Sequence, residues 1–174
     1  MAVKRRNPQT KVISGGQTGA DRTALEVAET LGIPTGGWAP PNFNTSGGSE
    51  PELGTRFGLQ TIPAGPSGSA ADDYAERTRR NVDVADATLA FRLRDSPGTD
   101  LTIAHANSTG KPLLVVELVV APTAEHVSKS AAQVRTFLDE HRPALLNVAG
   151  HSASAANGPH YEASVRAILM ASLR

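Results

Sequence analysis

The stretch Lys11-Val-Ile-Ser-Gly-Gly-Gln-Thr-Gly-Ala-Asp-Arg-Thr-Ala-Leu-Glu-Val-Ala-Glu-Thr-Leu-Gly32 constrains the fold more than any other part of the chain. Val12 and Ile13 read as a short buried strand, cut off by Ser14, Gly15 and Gly16. Beyond the turn Ala24, Leu25, Ala28 and Leu31 recur at steps of three and four, the period of a helix. Thr18 is placed to cap that helix, with Asp21 in the position a capping box gives to Glu or Gln. Gly32 and Pro34 end it. Strand, glycine turn and helix start together aim backbone N–H groups and the positive helix end at an anion. Gly15, Gly16 and Gly19 carry no side chain to keep a ligand from that backbone. The expectation is the floor of a site for a phosphorylated or nucleotide-like molecule. A plain tight turn would use the same glycines, but it does not call for Gln17, Asp21 and Arg22 around one opening. Capping alone is enough to explain Asp21.

The rest of the chain alternates strands and helices. Gly36 to Ala39 reads as a second strand, and no period holds in the long irregular loop at 40–71. Such a loop is expected to be a lid, an intersubunit contact or a surface insertion. From Asp72 to Ala85 a helix sets Tyr74, Arg77, Thr78 and Asn81 on one polar face. That face is expected to meet a ligand, with Arg79 and Arg80 in solvent. Ala87 to Phe91 is a buried strand, Ser96 to Thr99 a second small-residue turn, and Asp100 to Ser108 a helix. Leu113 to Val116 reads as the clearest central strand. A helix between Thr123 and His141, a strand from Ala144 to Ala149 and a last helix near Tyr161 to Leu173 complete the pattern. This predicts a single Rossmann-like α/β domain over 11–174, an open parallel sheet with helices on both faces, after a flexible tail at 1–10. The turns at Ser14–Gly19, Ser96–Thr99 and Gly150–Gly158 would share the carboxyl edge, where open α/β sheets bind ligands.

Composition narrows the function. The 174 residues carry 17 basic and 17 acidic side chains, so nucleic acid and anionic membrane are not expected partners. With no cysteine, disulfides, thiol catalysis and Cys-ligated zinc are excluded. No apolar run reaches the length of a membrane span, and the basic N-terminus has no apolar core of a signal peptide, so the cytoplasm is the expected location. No Ser-His-Asp arrangement or metal-ligand spacing stands out, and no catalytic residue and no protein-bound metal are expected. Ser14 replaces the first glycine of the dinucleotide fingerprint, and no Gly-Lys-Ser/Thr is present.

Several segments together carry a narrower resemblance. They are Ile13-Ser-Gly-Gly-Gln-Thr-Gly-Ala-Asp-Arg22, Gly36-Gly-Trp-Ala-Pro40, Arg77-Thr-x-x-Asn-Val82, Asp86-Ala-Thr-Leu-x-Phe91, Gly98-Thr-x-Leu-Thr102, Lys111-Pro112 and Asn147-Val-Ala-Gly150. From Lys11 to Leu169 the chain resembles the molybdenum cofactor carrier family, a branch of the group that contains the lysine decarboxylase-like phosphoribohydrolases. The resemblance implies homo-oligomers, dimer or tetramer, and a pocket for an anionic pterin- or nucleotide-like ligand, the molybdenum cofactor (molybdopterin) first, with molybdoenzymes as possible recipients. Its expected binding residues are Ser14, Gly15, Gly16, Gln17, Thr18, Gly19, Asp21, Arg22, Trp38, Arg77, Thr78, Asn81, Asp86, Gly98, Thr99, Thr102, Asn147 and Gly150. The related hydrolases carry Gly-x-Gly-Thr-x-x-Glu, and Thr102 stands at the place of that glutamate. A hydroxyl cannot take the carboxylate's part in glycosidic cleavage at neutral pH. Binding without reaction is therefore expected ahead of a nucleotide phosphoribohydrolase, with a nucleotide-sensing module as a third reading. The family's Pro-Arg-Glu-Ser after Asn-Val-Ala-Gly is here His151-Ser-Ala-Ser154, so His151 or Arg77 would have to replace the missing arginine.

Overall fold

A computed structural model describes residues 10–154 and 159–174. Of the expected flexible tail only Thr10 falls within them, and its hydroxyl donates to the Pro143 carbonyl at 3.0 Å. The strands are β1 (Lys11–Ile13), β2 (Thr35–Ala39), β3 (Asn44–Thr45), β4 (Gly48–Ser49), β5 (Leu59–Thr61), β6 (Ala87–Arg92), β7 (Leu113–Glu117) and β8 (Leu145–Gly150). The helices are α1 (Ala20–Thr30), α2 (Glu52–Phe57), α3 (Ala70–Val84), α4 (Pro97–Thr109), α5 (Ala124–His141) and α6 (Pro159–Ser172). Six strands form one parallel sheet in the order β5-β2-β1-β8-β6-β7, and β3 pairs with β4 in a small hairpin. The fold is Rossmann-like, with α1, α5 and α6 packed together on one face and α3 against α4 on the other.

The chain winds outward from β1 to β5, restarts at β6, moves out to β7 and returns as β8 between β1 and β6. This reversal opens a crevice at the carboxyl ends of the inner strands, the place where open α/β sheets take ligands. The two faces of the sheet differ. Val12, Leu89, Phe91, Val116, Leu146 and Val148 form a buried cluster with Val27, Val134, Val165, Ile168 and Leu169 from the helices. Strand alternation turns Thr88, Ala90, Asn147 and Ala149 to the other face. Those side chains are small or polar, and Asn147 donates to the Thr88 hydroxyl at 3.4 Å. The α3–α4 layer thus lies over a floor with little bulk, and a cavity forms there.

Two expectations are corrected. The segment 40–71 is not one irregular loop: a 3₁₀ turn, the β3–β4 hairpin, α2 and the edge strand β5 all lie within it. Leu53 and Phe57, one helical turn apart, join Leu25, Ala39 and Leu59 in a second apolar cluster. That burial holds α2 in place, and Gly58 ends it with φ 69°, a left-handed cap. The second correction concerns Leu113–Val116, which lies at an edge of the sheet and not in its centre. The central positions belong to β1 and β8, whose mixed residues gave a weaker signal.

Asp86 also proves structural. It stands at the amino end of β6, where its Oδ2 accepts the N–H groups of Ala144 and Leu145 at 2.9 and 2.8 Å. This pins the start of β8 to β6, at the edge opposite the carboxyl-end crevice, and so removes Asp86 from the candidate ligand contacts. Asp86→Ala is expected to lower unfolding free energy by about 1.5–3 kcal/mol, the loss of charge-assisted hydrogen bonds, in urea titrations, with ligand affinity unchanged.

Candidate functional site

A cleft of about 400 Å³ opens at the carboxyl edge. The turn after β1 supplies Gln17 and Asp21 to its wall, α3 supplies Tyr74, Arg77 and Thr78, α4 supplies Pro97, Gly98, Leu101 and Thr102, and β8 supplies Ala149 and Gly150. Of the expected site residues the fold thus gathers Gln17, Asp21, Arg77, Thr78, Gly98, Thr102 and Gly150 around one opening. Ala71, Tyr74, Ala75, Ser96, Pro97, Leu101, Ala149 and Ser152 complete the lining, none of them among the named binding residues, though Tyr74 lies on the expected α3 face and Ser96, Pro97 and Ser152 in the expected turns. Tyr74 shares the α3 face of Arg77 and Thr78, a signal that was available.

The site is organised by α3. Asn81 is buried and makes a two-way bond to the Trp38 backbone, accepting its N–H and donating to its carbonyl, both at 2.9 Å. This fastens α3 to β2 in the manner of another strand. Arg77 lies one turn earlier on the same face and reaches Asp21, with Nη1 2.8 Å from Oδ2. Its guanidinium rests on Gly15, where a Cβ would come within 1.5 Å of Nη1. Burial pushes the Asp21 carboxyl above its usual range, and the Arg77 charge opposes that push. Arg77 Nε is buried and has no acceptor among the described residues. The pair is therefore satisfied on one side only.

From Gln17 on, the N–H groups of the glycine turn are taken by the protein itself. Gly19, not Thr18, caps α1. The N–H of Gln17 reaches Asp21 Oδ2 at 3.4 Å, that of Thr18 reaches Gln17 Oε1 at 2.9 Å, that of Gly19 reaches Glu162 Oε1 at 3.1 Å, and that of Ala20 reaches the His151 carbonyl at 3.1 Å. Two carboxylates thus fill the positive end of α1, where an external anion was expected. The glycines serve close packing: a Cβ on Gly16 would lie 2.7 Å from Leu59, and one on Gly19 2.2 Å from the His151 carbonyl. A Gly16→Val chain would therefore be strained whether or not a ligand binds.

The start of α4 differs. Its first N–H groups have no partner within the helix, and a Cβ on Gly98 would meet nothing within 4 Å. Ser96 N–H is taken by Asp100 Oδ2 at 3.2 Å, and Thr102 donates back to the Gly98 carbonyl at 3.1 Å. Among the described residues Asp21 is the one carboxylate that lines the cleft.

The remaining expected residues lie around the cleft, not in its lining. Arg22 donates to the Gly16 carbonyl and pairs with Glu50 at 3.0 Å, so it ties the hairpin region to the glycine turn. The Thr45 hydroxyl, with Arg22 beside it, holds the Glu50 carboxyl below its usual range. Thr18 bonds Ser46 in the hairpin, and Ser14 donates to the Val148 carbonyl at 2.6 Å. Trp38 carries Arg80 over its ring at 4.2 Å, so Arg80 is stacked and not merely solvated. Asn147 lies buried beneath, and Thr99 bonds His151 at 3.4 Å.

His151 cannot replace an arginine. It is buried, and its Nε2 accepts the Leu93 N–H at 2.9 Å, which leaves the proton on Nδ1 toward Thr99. Burial, with Arg94 nearby, holds its pKa below the usual value, so the ring is neutral. Its backbone N–H donates to the Tyr161 hydroxyl at 2.8 Å, which in turn donates to Phe91 O. His151 and Tyr161 together lock β6, β8 and α6 behind the cleft. That leaves Arg77 as the cation at the opening.

Arg77→Ala would strand a buried carboxylate and is expected to cost about 3–5 kcal/mol of stability. Asp21→Asn added to it should restore a large part of that loss in urea titrations. Additive losses would show that the pair is not coupled.

The comparisons with known proteins agree with this fold. The family model described as "Circularly permutated YpsA SLOG family" matches residues 12–173. No curated protein matches the chain. A crystal structure of the "Putative molybdenum carrier protein" of Syntrophus aciditrophicus is similar over 95% of this chain and 96% of that one, with 32% identity and a TM-score of 0.78.

Proposed function

Since the chain belongs to the circularly permutated YpsA SLOG family, we propose that it is a cytoplasmic, homo-oligomeric carrier that binds a molybdopterin-type cofactor without reacting with it. The observation that carries this reading is the cleft that Arg77 lines together with the open first turn of α4, where Arg77 Nε has no acceptor among the described residues. A phosphate seated at that turn would accept from its N–H groups and face the Arg77 charge across the cleft. The cleft volume of about 400 Å³ lies in the range of small-molecule sites. The ring of a pterin would lie toward Tyr74, Thr78 and Leu101, with Asp21 able to receive its N–H groups. The molybdenum would travel as part of the cargo and would need no protein ligand; molybdoenzymes would be its recipients. The name of the similar Syntrophus protein supports the same ligand class.

The second reading is a nucleotide phosphoribohydrolase. What favours it is Asp21, a carboxylate in the cleft with a pKa raised by burial. Its engagement by Arg77 and the hydroxyl at Thr102 weigh against it. Mass spectrometry of material released from freshly purified protein is expected to find a phosphorylated pterin. Gly98→Leu, whose Cβ would meet nothing within 4 Å, should keep native circular dichroism and lose that material. Incubation with purine 5′-monophosphates should release no free base. Base release that disappears in Asp21→Asn would establish the enzyme reading instead.

A further inference from the structure

The two edges of the sheet differ in how they meet solvent. β5 is three residues long and is soon followed by Pro63, two features that discourage pairing with another chain. β7 has no such protection. From Leu113 to Val120 every residue but Glu117 is apolar, with no proline, no lysine and no positive φ in the run. Leu113, Leu114 and Val115 are half-buried, and Val119 and Val120 are exposed.

Hydrogen bonding shows which groups of β7 are open. Thr88 N–H donates to Pro112 O, and Leu118 N–H donates to Arg92 O, so the even-numbered residues bond to β6. Strand alternation then turns the N–H and C=O groups of Leu113, Val115 and Glu117 outward. Pro112, which has no N–H, faces β6 and leaves no gap on the open side.

Charge along this edge is polarised. At the carboxyl end Glu117 shares the Arg92 guanidinium with Asp95 and Asp100. Just before the amino end Lys111 bonds the carbonyls of Asp83 and Ala85, and it has no carboxylate partner among the described residues. An edge with opposite charges at its two ends complements itself when reversed.

We propose that the open edge of β7 pairs antiparallel with the same edge of a second copy of this chain, about a two-fold axis at Leu114. The axis sets Leu113 against Val115 of the second copy as a hydrogen-bonded pair. It also sets Lys111 against Glu117 of the second copy, twice. The two six-stranded sheets then run on as one. Such isologous contacts are the commonest route to dimers, and this one does not depend on the ligand reading.

The chain has no cysteine, so single cysteines report the contact. Leu114 would face its counterpart in a non-hydrogen-bonded pair with Cα atoms about 4.5 Å apart, within disulfide reach. Val119 would be roughly 30 Å from its counterpart, from the strand rise. Mild oxidation of full-length Leu114→Cys is expected to give a reducible covalent dimer, and Val119→Cys to remain uncrosslinked. Val115→Lys should lose the dimer in sedimentation while circular dichroism stays native. Wild-type protein that sediments as a monomer at micromolar concentration overturns the proposal, as does a wild-type dimer in which folded Leu114→Cys does not crosslink.

Discussion

The buried ion pair between Asp21 and Arg77 is the interaction on which the rest of the site depends. Taking two charges out of water costs several kcal/mol, and the cost is offset only if the partners meet closely. Close approach requires that α3 cross above the glycine turn, and Gly15 makes this possible because its Cα has no substituent under the guanidinium. The Asn81 bonds to Trp38 hold α3 at that height. The same constraint leaves Arg77 Nε without an acceptor among the described residues, since Asp21 takes Nη1. Stability and readiness for a ligand thus come from one arrangement.

That arrangement also gives the cleft a direction. Glu162 and Asp21 meet the N–H groups at the start of α1, so this end repels a further anion. The start of α4 carries an open glycine and N–H groups with no partner within the helix, and Arg77 lines the same cleft. An elongated ligand with an anionic end would therefore lie one way round. The His151–Tyr161 lock behind the cleft ties the end of β8 to β6 and α6.

Much of this was legible in the sequence, for physical reasons that also mark where reading stopped. Strand and helix periods placed the alternating elements, and three-and-four spacing put Arg77, Thr78 and Asn81 on one face. Spacing could not say which of these bonds backbone and which meets the cleft; Asn81 turned out to hold β2. The glycines announced close approach, yet the approaching groups are Arg77, Leu59 and the His151 carbonyl. Which neighbour requires a bare Cα depends on contacts distant in sequence. Leu53 and Phe57 were a faint helical signal among turn residues and became clear only once their partners Leu25 and Leu59 were known. The most apolar strand reads as central yet lies at an edge, because a run of Leu and Val reports burial on its faces and is silent about its edges.

The central claim is that the anion of the ligand sits at the first turn of α4 beside Arg77, and not on the glycine turn before α1. A crystal structure of the wild-type protein grown with inorganic phosphate tests it directly. The account predicts phosphate density within hydrogen-bond reach of the Gly98–Thr99 backbone and on the Arg77 side of the cleft, with Glu162 still bound to Gly19. Density on the Gly15–Gly19 backbone, with the Glu162 carboxylate displaced, would contradict it.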